Sequence, residues 1–199
     1  MDNTKTILLV EDNLDDVVLI RLGFRKAGFN NPVIIVSSGE QAIDYLKAEG
    51  PYTDRSRFPV PQLMLLDLKM PRMTGFDVLT WIRGRPEWKC LPVIILTTSY
   101  YGADIKEAYE LGANSFLTKP ADFHEFITTL KQMGDFWLRE NKLPQVGPFL
   151  PAPVRQDNPG PIAPGNDRLA QPACSGPLRP GSRGTPYRKL QADSLRRHD

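Results

Sequence analysis

Apolar residues along the first 140 positions fall into two patterns that take turns. Short unbroken runs come first: Ile7-Leu8-Leu9-Val10, Val33-Ile34-Ile35-Val36, Leu63-Met64-Leu65-Leu66 and Val93-Ile94-Ile95-Leu96. Runs of that length without alternation read as strands covered on both faces. A short fifth strand is predicted at Ser115-Phe116-Leu117-Thr118. Between the runs, apolar positions recur at helical spacing and helix starts are marked by capping residues. Asn13 precedes Leu14, Val17, Val18, Leu22 and Phe24, which lead to Gly28. Ser38 with Gln41 resembles a capping box for a helix through Lys47, and Thr74 with Asp77 starts another that runs to about Arg83. Asp104 with Glu107 predicts a helix stopped by Gly112. Asp122 with Glu125 opens the last, whose apolar face is Phe123, Phe126, Ile127, Leu130, Met133 and Trp137. A longer loop, Gly50 to Pro61, precedes the third strand.

Five strands alternating with five helices predict a doubly wound parallel sheet, with helices on both faces and right-handed crossovers. About 140 residues are enough to bury a core of that kind. The domain is expected to span residues 1–143.

Composition changes the picture only beyond Leu143. Eleven of the nineteen prolines lie there, with eight Arg/Lys against four Asp, so a chain of net charge +2 divides into a −2 part and a +4 part. Residues 144–199 keep neither helical nor strand periodicity, and they predict a disordered Pro/Gly/Arg-rich tail that cannot bury enough apolar area to offset its ordering entropy. Its basic excess suits acidic surfaces in principle, but a solvated tail accounts for it, and no nucleic-acid partner is expected. Cys90 and Cys174 lack metal-ligand spacing. Ile7 to Val10 is too short for a signal-peptide core and no run is long enough to span a bilayer, so a cytoplasmic protein without membrane contact is expected.

The chemistry lies where the strands stop. The first ends in Glu11-Asp12, the third in Asp67, the fourth in Thr97-Thr98-Ser99 and the fifth in Lys119-Pro120. In a doubly wound sheet the carboxyl ends of the strands form the ligand site. Three carboxylates brought together there repel one another, and a divalent cation removes that repulsion. An all-oxygen donor set selects Mg²⁺ or Mn²⁺ over zinc, and Mg²⁺ characteristically shares its shell with phosphate. Asp67 then becomes the candidate nucleophile of an acyl phosphate, with Glu11 and Asp12 on the metal. The Thr97 hydroxyl and the Lys119 ammonium are placed to stabilise phosphoryl oxygens.

These residues resemble the receiver domain of two-component response regulators. The match covers about residues 4–141 and is carried by Glu11-Asp12, by Asp67 with Pro71 and Gly75 four and eight residues later, by Thr97, and by Lys119-Pro120. A narrower likeness, to stand-alone receivers serving cyanobacterial and bacterial phytochrome kinases, is carried by Gly50-Pro51-Tyr52, Leu65-Leu66-Asp67-Leu68, Leu96-Thr97-Thr98-Ser99, Asp104-Ile105, Ala108-Tyr109 and Phe136-Trp137-Leu138. The resemblance implies a flavodoxin-like sheet of order 2-1-3-4-5 and a cis Lys119–Pro120 bond. It implies phosphoryl transfer from a sensor histidine kinase to Asp67 in a Mg²⁺-dependent step, with the Lys69 carbonyl on the metal. Thr97 and Phe116 become the switch, a downstream protein the output, and the last helix and strand a homodimer surface. Because related receivers often carry Asn at the position of Lys69, that lysine is expected to tune the lifetime of the acyl phosphate.

Plainer explanations exist for each residue. Acids after strands often only cap helices, Lys119 is readily a surface lysine, and Phe116 is readily core. His124, with no second histidine near it, reads as structural. An aspartate-nucleophile phosphatase would need a second acid two residues after Asp67, where Lys69 stands, so no enzyme is expected. A phosphorelay intermediate, or a receiver that only scaffolds, remains as the alternative to a terminal signalling switch.

Overall fold

The computed structural model describes residues 5–144, 146 and 147. Strands β1 (Ile7–Val10), β2 (Val33–Val36), β3 (Leu63–Leu66), β4 (Val93–Thr97) and β5 (Ser115–Thr118) form one parallel sheet in the order β2-β1-β3-β4-β5. This is the order that the sequence resemblance implied. Helices α1 (Leu14–Lys26), α2 (Gly39–Lys47), α3 (Gly75–Arg83), α4 (Gly102–Glu110) and α5 (Phe123–Gly134) fill the connections. Among the described residues no helix is long and apolar enough to cross a membrane.

The apolar runs are unbroken because both faces of the sheet are covered. Successive side chains of a strand point to opposite faces, and two cores follow. Leu8, Val10, Met64, Leu66, Val93 and Ile95 pack with Ala42, Tyr45 and Leu46 of α2, Val78, Leu79 and Ile82 of α3, and Ala108 of α4. Ile7, Leu9, Leu63, Leu65, Ile94 and Leu96 pack with Val17, Ile20 and Phe24 of α1 and Phe126, Leu130 and Met133 of α5.

Capping chemistry accounts for most helix starts. The Asn13 side chain accepts from the amides of Asp15 and Asp16, Ser38 from Gln41, and Asp122 from His124 and Glu125. Thr74 and Asp77 form a reciprocal capping box. At α2 the box is incomplete, because the Gln41 side chain accepts from the Ser37 amide, not from that of Ser38.

Four expectations are corrected. Helix α4 begins at Gly102 after Tyr101, which makes no side-chain cap; Asp104 lies in its first turn and accepts a hydrogen bond from the Ser99 hydroxyl instead. In α1 the inward face is Val17, Ile20 and Phe24, while Leu14 and Val18 are 75% and 63% exposed and Leu22 is also at the surface. After Gly134 the last helix widens into a π-helical segment, Asp135–Glu140, so that Leu138 is buried, Trp137 is half-buried and Phe136 is exposed. The wider turn shifts the apolar face off its 3.6-residue period. Finally, there are no cis peptide bonds among the described residues, and Lys119–Pro120 is trans. Lys119 reaches its acidic partners from that backbone.

The 50–61 loop is packed. Tyr45, Tyr52 and Phe58 meet with ring centroids 5.2–6.2 Å apart, and the Tyr45 hydroxyl donates to the Pro59 carbonyl at 2.6 Å. Burial pushes that phenol up to about 12. Contacts continue past Leu143: Val146 packs against the core that holds Trp88, and the Gly147 amide donates to the Glu87 carbonyl at 2.9 Å. Apart from Pro144, Val146 and Gly147, the predicted tail of 144–199 lies outside the described residues.

Candidate functional site

Sheet hydrogen bonds set the positions of the strand ends. The Glu11 amide donates to the Val36 carbonyl (3.0 Å), the Asp67 amide to Val10 (3.1 Å) and the Lys119 amide to Thr97 (2.7 Å). Each residue is therefore fixed one step beyond a paired strand. Glu11, Asp67 and Thr97 are buried and Asp12 is half-buried. Glu11, Asp12 and Asp67 each offer one carboxylate oxygen, and those oxygens lie within 4.8 Å of one another.

The Lys119 ammonium enters this acidic group from β5. It donates to Glu11 Oε2 at 2.6 Å and to Asp16 Oδ2 at 2.7 Å, and stands 4.0 Å from Asp67 Oδ1. Burial alone would depress the lysine. The charge of Asp67 and the hydrogen bonds to Asp16 and Glu11 together outweigh it, holding the ammonium above the ordinary lysine range. Burial pushes the Glu11 carboxyl up; the Lys119 hydrogen bond and charge oppose that shift, and the charge of Asp67 adds to it. Asp67 Oδ1 is buried and accepts no hydrogen bond.

The β4–α4 loop borders the group. Thr97 Oγ1 accepts from the Ser99 amide at 3.3 Å, which leaves its own proton available. Ser99 is fully buried and donates to Asp104, and its carbonyl accepts from the Thr118 hydroxyl at 3.4 Å. The β3–α3 loop passes so close to Asp67 that Gly75 is required. Its amide donates to the Leu68 carbonyl at 3.1 Å, and a Cβ there would lie 2.2 Å from the Asp67 carbonyl oxygen.

Glu11, Asp12, Asp67, Thr97 and Lys119 thus occupy neighbouring strand ends, as the sequence predicted. Lys69 is exposed, with its ammonium 5.6 Å from the centre of the Tyr101 ring. Phe116 is half-buried and packs against the core on the α4 side. Asp16 was not among the predicted residues. Its place in the first turn of α1 gave only the signal of an acid favouring a helix N-terminus.

Three carboxylates and an unpartnered buried oxygen fit a hard divalent cation, because oxygen donors suit such ions and the cation would relieve the repulsion.

The family profile described as the response regulator receiver domain matches residues 7–131. Response regulator Rcp1 of Synechocystis is 35% identical over 140 residues, 70% of this chain and 93% of its own length. Its Mn²⁺-bound crystal structure superposes with a TM-score of 0.65, covering 71% of this chain and 99% of that one. The phosphorylated cyanobacterial phytochrome response regulator RcpA matches with a TM-score of 0.66 and 36% identity, again over 71% and 99% of the two chains. RPA3017, a response regulator in red light signaling of R. palustris, gives 0.69 and 34% at the same coverage. The profile match places this doubly wound sheet, with its acidic, lysine-bearing carboxyl edge, in the class of two-component signalling domains. Within it, this chain belongs to the response regulator receiver domain family.

Proposed function

We propose that this protein is a phosphorylatable switch in which Asp67 takes a phosphoryl group from a sensor histidine kinase. The observation that carries the proposal is the buried, unpartnered Asp67 Oδ1, adjoining Glu11 and Asp12 and 4.0 Å from the Lys119 ammonium. An Asp67 carboxylate oxygen attacks phosphorus as the P–N bond of the donor phosphohistidine breaks, with the electron pair and a proton going to the leaving imidazole. When bound, Mg²⁺ held by Glu11, Asp12, Asp67 and the Lys69 carbonyl would neutralise developing charge on the phosphoryl oxygens. Thr97 donates its hydroxyl proton to one phosphoryl oxygen and Lys119 pairs with another. The added charge, about −1.5 to −2, draws Thr97 inward, and Phe116 changes rotamer to alter the α4–β5 face. Lys69, exposed beside Tyr101, then governs water's approach to the acyl phosphate.

The description of RcpA as a phytochrome response regulator, and of RPA3017 as acting in red light signaling, supports a phytochrome-type kinase as partner. Output then passes to a downstream protein in the cytoplasm, without nucleic-acid contact. The protein signals and turns over no substrate of its own. The test is incubation of the full chain with Mg²⁺ and phosphoramidate, followed by mass spectrometry. Wild type should gain one phosphoryl group, and Asp67→Asn or a chelator should abolish the gain. An unmodified wild type would support a scaffold instead, and sustained hydrolysis of a phosphate monoester would support a phosphatase.

The outer edge of β5, paired on one side only by β4, and exposed Phe136 beyond α5 support a homodimer through the last helix and strand. In sedimentation experiments the wild type is expected to dimerise and Phe136→Asp to remain monomeric. A wild type that is monomeric at every concentration removes the dimer from the proposal.

A further inference from the structure

Asp16 is a charged partner of Lys119 to which the phosphoacceptor reading gives no task. It lies in the first turn of α1, where its amide donates to the Asn13 side chain at 3.3 Å, and its side chain is 26% exposed. Its carboxylate is nonetheless 2.7 Å from Lys119 Nζ, almost as close as Glu11 at 2.6 Å. The same nitrogen stops 4.0 Å from Asp67 Oδ1, which is buried and accepts no hydrogen bond.

An ammonium has three protons to give. Two are directed at Glu11 and Asp16, and two anchors from different elements fix the nitrogen where one would leave it free to pivot. With Glu11 as the only anchor, attraction between opposite charges in a poorly solvated pocket would draw Lys119 onto Asp67. A carboxylate oxygen that accepts a charge-assisted hydrogen bond is the poorer nucleophile, and the bond must weaken before that oxygen can bond to phosphorus.

We propose that Asp16 is a positioning residue that holds Lys119 off Asp67, so that the acceptor meets its phosphodonor with an oxygen unpaired. After transfer the phosphoryl oxygens compete for the ammonium. Asp16, far more exposed than Glu11, is the partner that water can replace at least cost. Lys119 thus exchanges Asp16 for the phosphoryl group while keeping its hold on Glu11. The inference rests on Asp67 being the phosphoacceptor. A purely structural Asp16 would instead favour the N-terminus of α1 and leave the chemistry unaffected.

The test uses the full chain with Mg²⁺ and phosphoramidate, comparing wild type, Asp16→Asn and Asp16→Glu. Bond making and breaking are as above, with the P–N electron pair leaving on ammonia. Asp16→Asn is expected to slow phosphorylation of Asp67 about tenfold, the scale of one charge-assisted hydrogen bond to be broken first. Asp16→Glu, which keeps the charge, should restore most of the rate. In a crystal structure of Asp16→Asn, Lys119 Nζ should lie within hydrogen-bond distance of an Asp67 oxygen. Wild-type rates in Asp16→Asn, or an unmoved Lys119, would overturn the proposal. A wild type that takes no phosphoryl group would instead overturn the phosphoacceptor reading beneath it.

Discussion

Replacing Gly75 with alanine is expected to destabilise the domain by about 3 kcal/mol, the upper part of the range for overpacking, and to disable phosphorylation. The added Cβ would lie 2.2 Å from the Asp67 carbonyl oxygen, 2.8 Å from Leu68 Cα and 3.0 Å from the Asp67 carbonyl carbon. All three are backbone atoms, so no side chain can rotate out of the way. Relief requires the β3–α3 loop to move, and the Asp67 amide is tied to Val10 and the Gly75 amide to Leu68. The displacement would fall on the residue whose position matters most. Gly102, at the start of α4, is the control, since a Cβ there meets nothing within 4 Å. Urea unfolding should show Gly102→Ala within about 0.5 kcal/mol of wild type. Equal stabilities for the two variants would contradict the close approach.

The second large effect is expected at Lys119. Lys119→Met removes the ammonium from Glu11, whose side chain is 1% exposed, and from beside Asp67. Breaking a buried ion pair by deleting one partner typically costs about 3–5 kcal/mol. Two further measurements identify the cause. Mg²⁺ should raise the Tm of Lys119→Met more than that of wild type, because it supplies the missing positive charge. The loss should also depend on pH with a definite sign. Burial already raises the Glu11 carboxyl, and Lys119 is the main influence opposing it. Without the lysine the folded-state value rises further, so the folded form prefers Glu11 protonated. Stability is then retained below the unfolded carboxyl range and lost as pH rises through the folded value. Lys119→Met should therefore lose more stability at about pH 7 than at about pH 5. A pH-independent loss would point to packing alone.

How legible the fold was varied from element to element, for physical reasons. Strands β1, β3 and β4 could be read because burial on both faces leaves unbroken apolar runs, and β2 keeps such a run at the sheet edge; β5, half-buried, shows only Phe116 and Leu117 between polar ends. Helices α1, α2, α3 and α5 could be read because Asn13, Ser38, Thr74 and Asp122 cap them with their side chains. Helix α4 has no such cap, so Asp104 was assigned a role that it does not play. Helix α1 carries two apolar stripes, one through Leu14, Val18 and Leu22 and one through Val17, Ile20 and Phe24. Periodicity cannot say which faces the sheet. The π-helical segment after Gly134 also escaped, because a periodic pattern presumes one kind of turn. At the site, Glu11, Asp12, Asp67, Thr97 and Lys119 were found because each closes a predicted strand. Asp16 was missed because its importance depends on a lysine 103 residues away.

The backbone bond from Asp67 to Val10 also has a consequence for how such a site can change over evolution. Parallel strands stand about 4.8 Å apart wherever they occur, and Glu11 and Asp67 extend two adjacent ones. The sheet acts as a ruler for the acids, with graduations set by peptide geometry and not by any side chain. Connecting segments such as the 50–61 loop can then lengthen, shorten or take on new surfaces without recalibrating the pocket. The surface that such a loop presents and the spacing of the acids are set by separate parts of the molecule, and one can diversify while the other stays fixed.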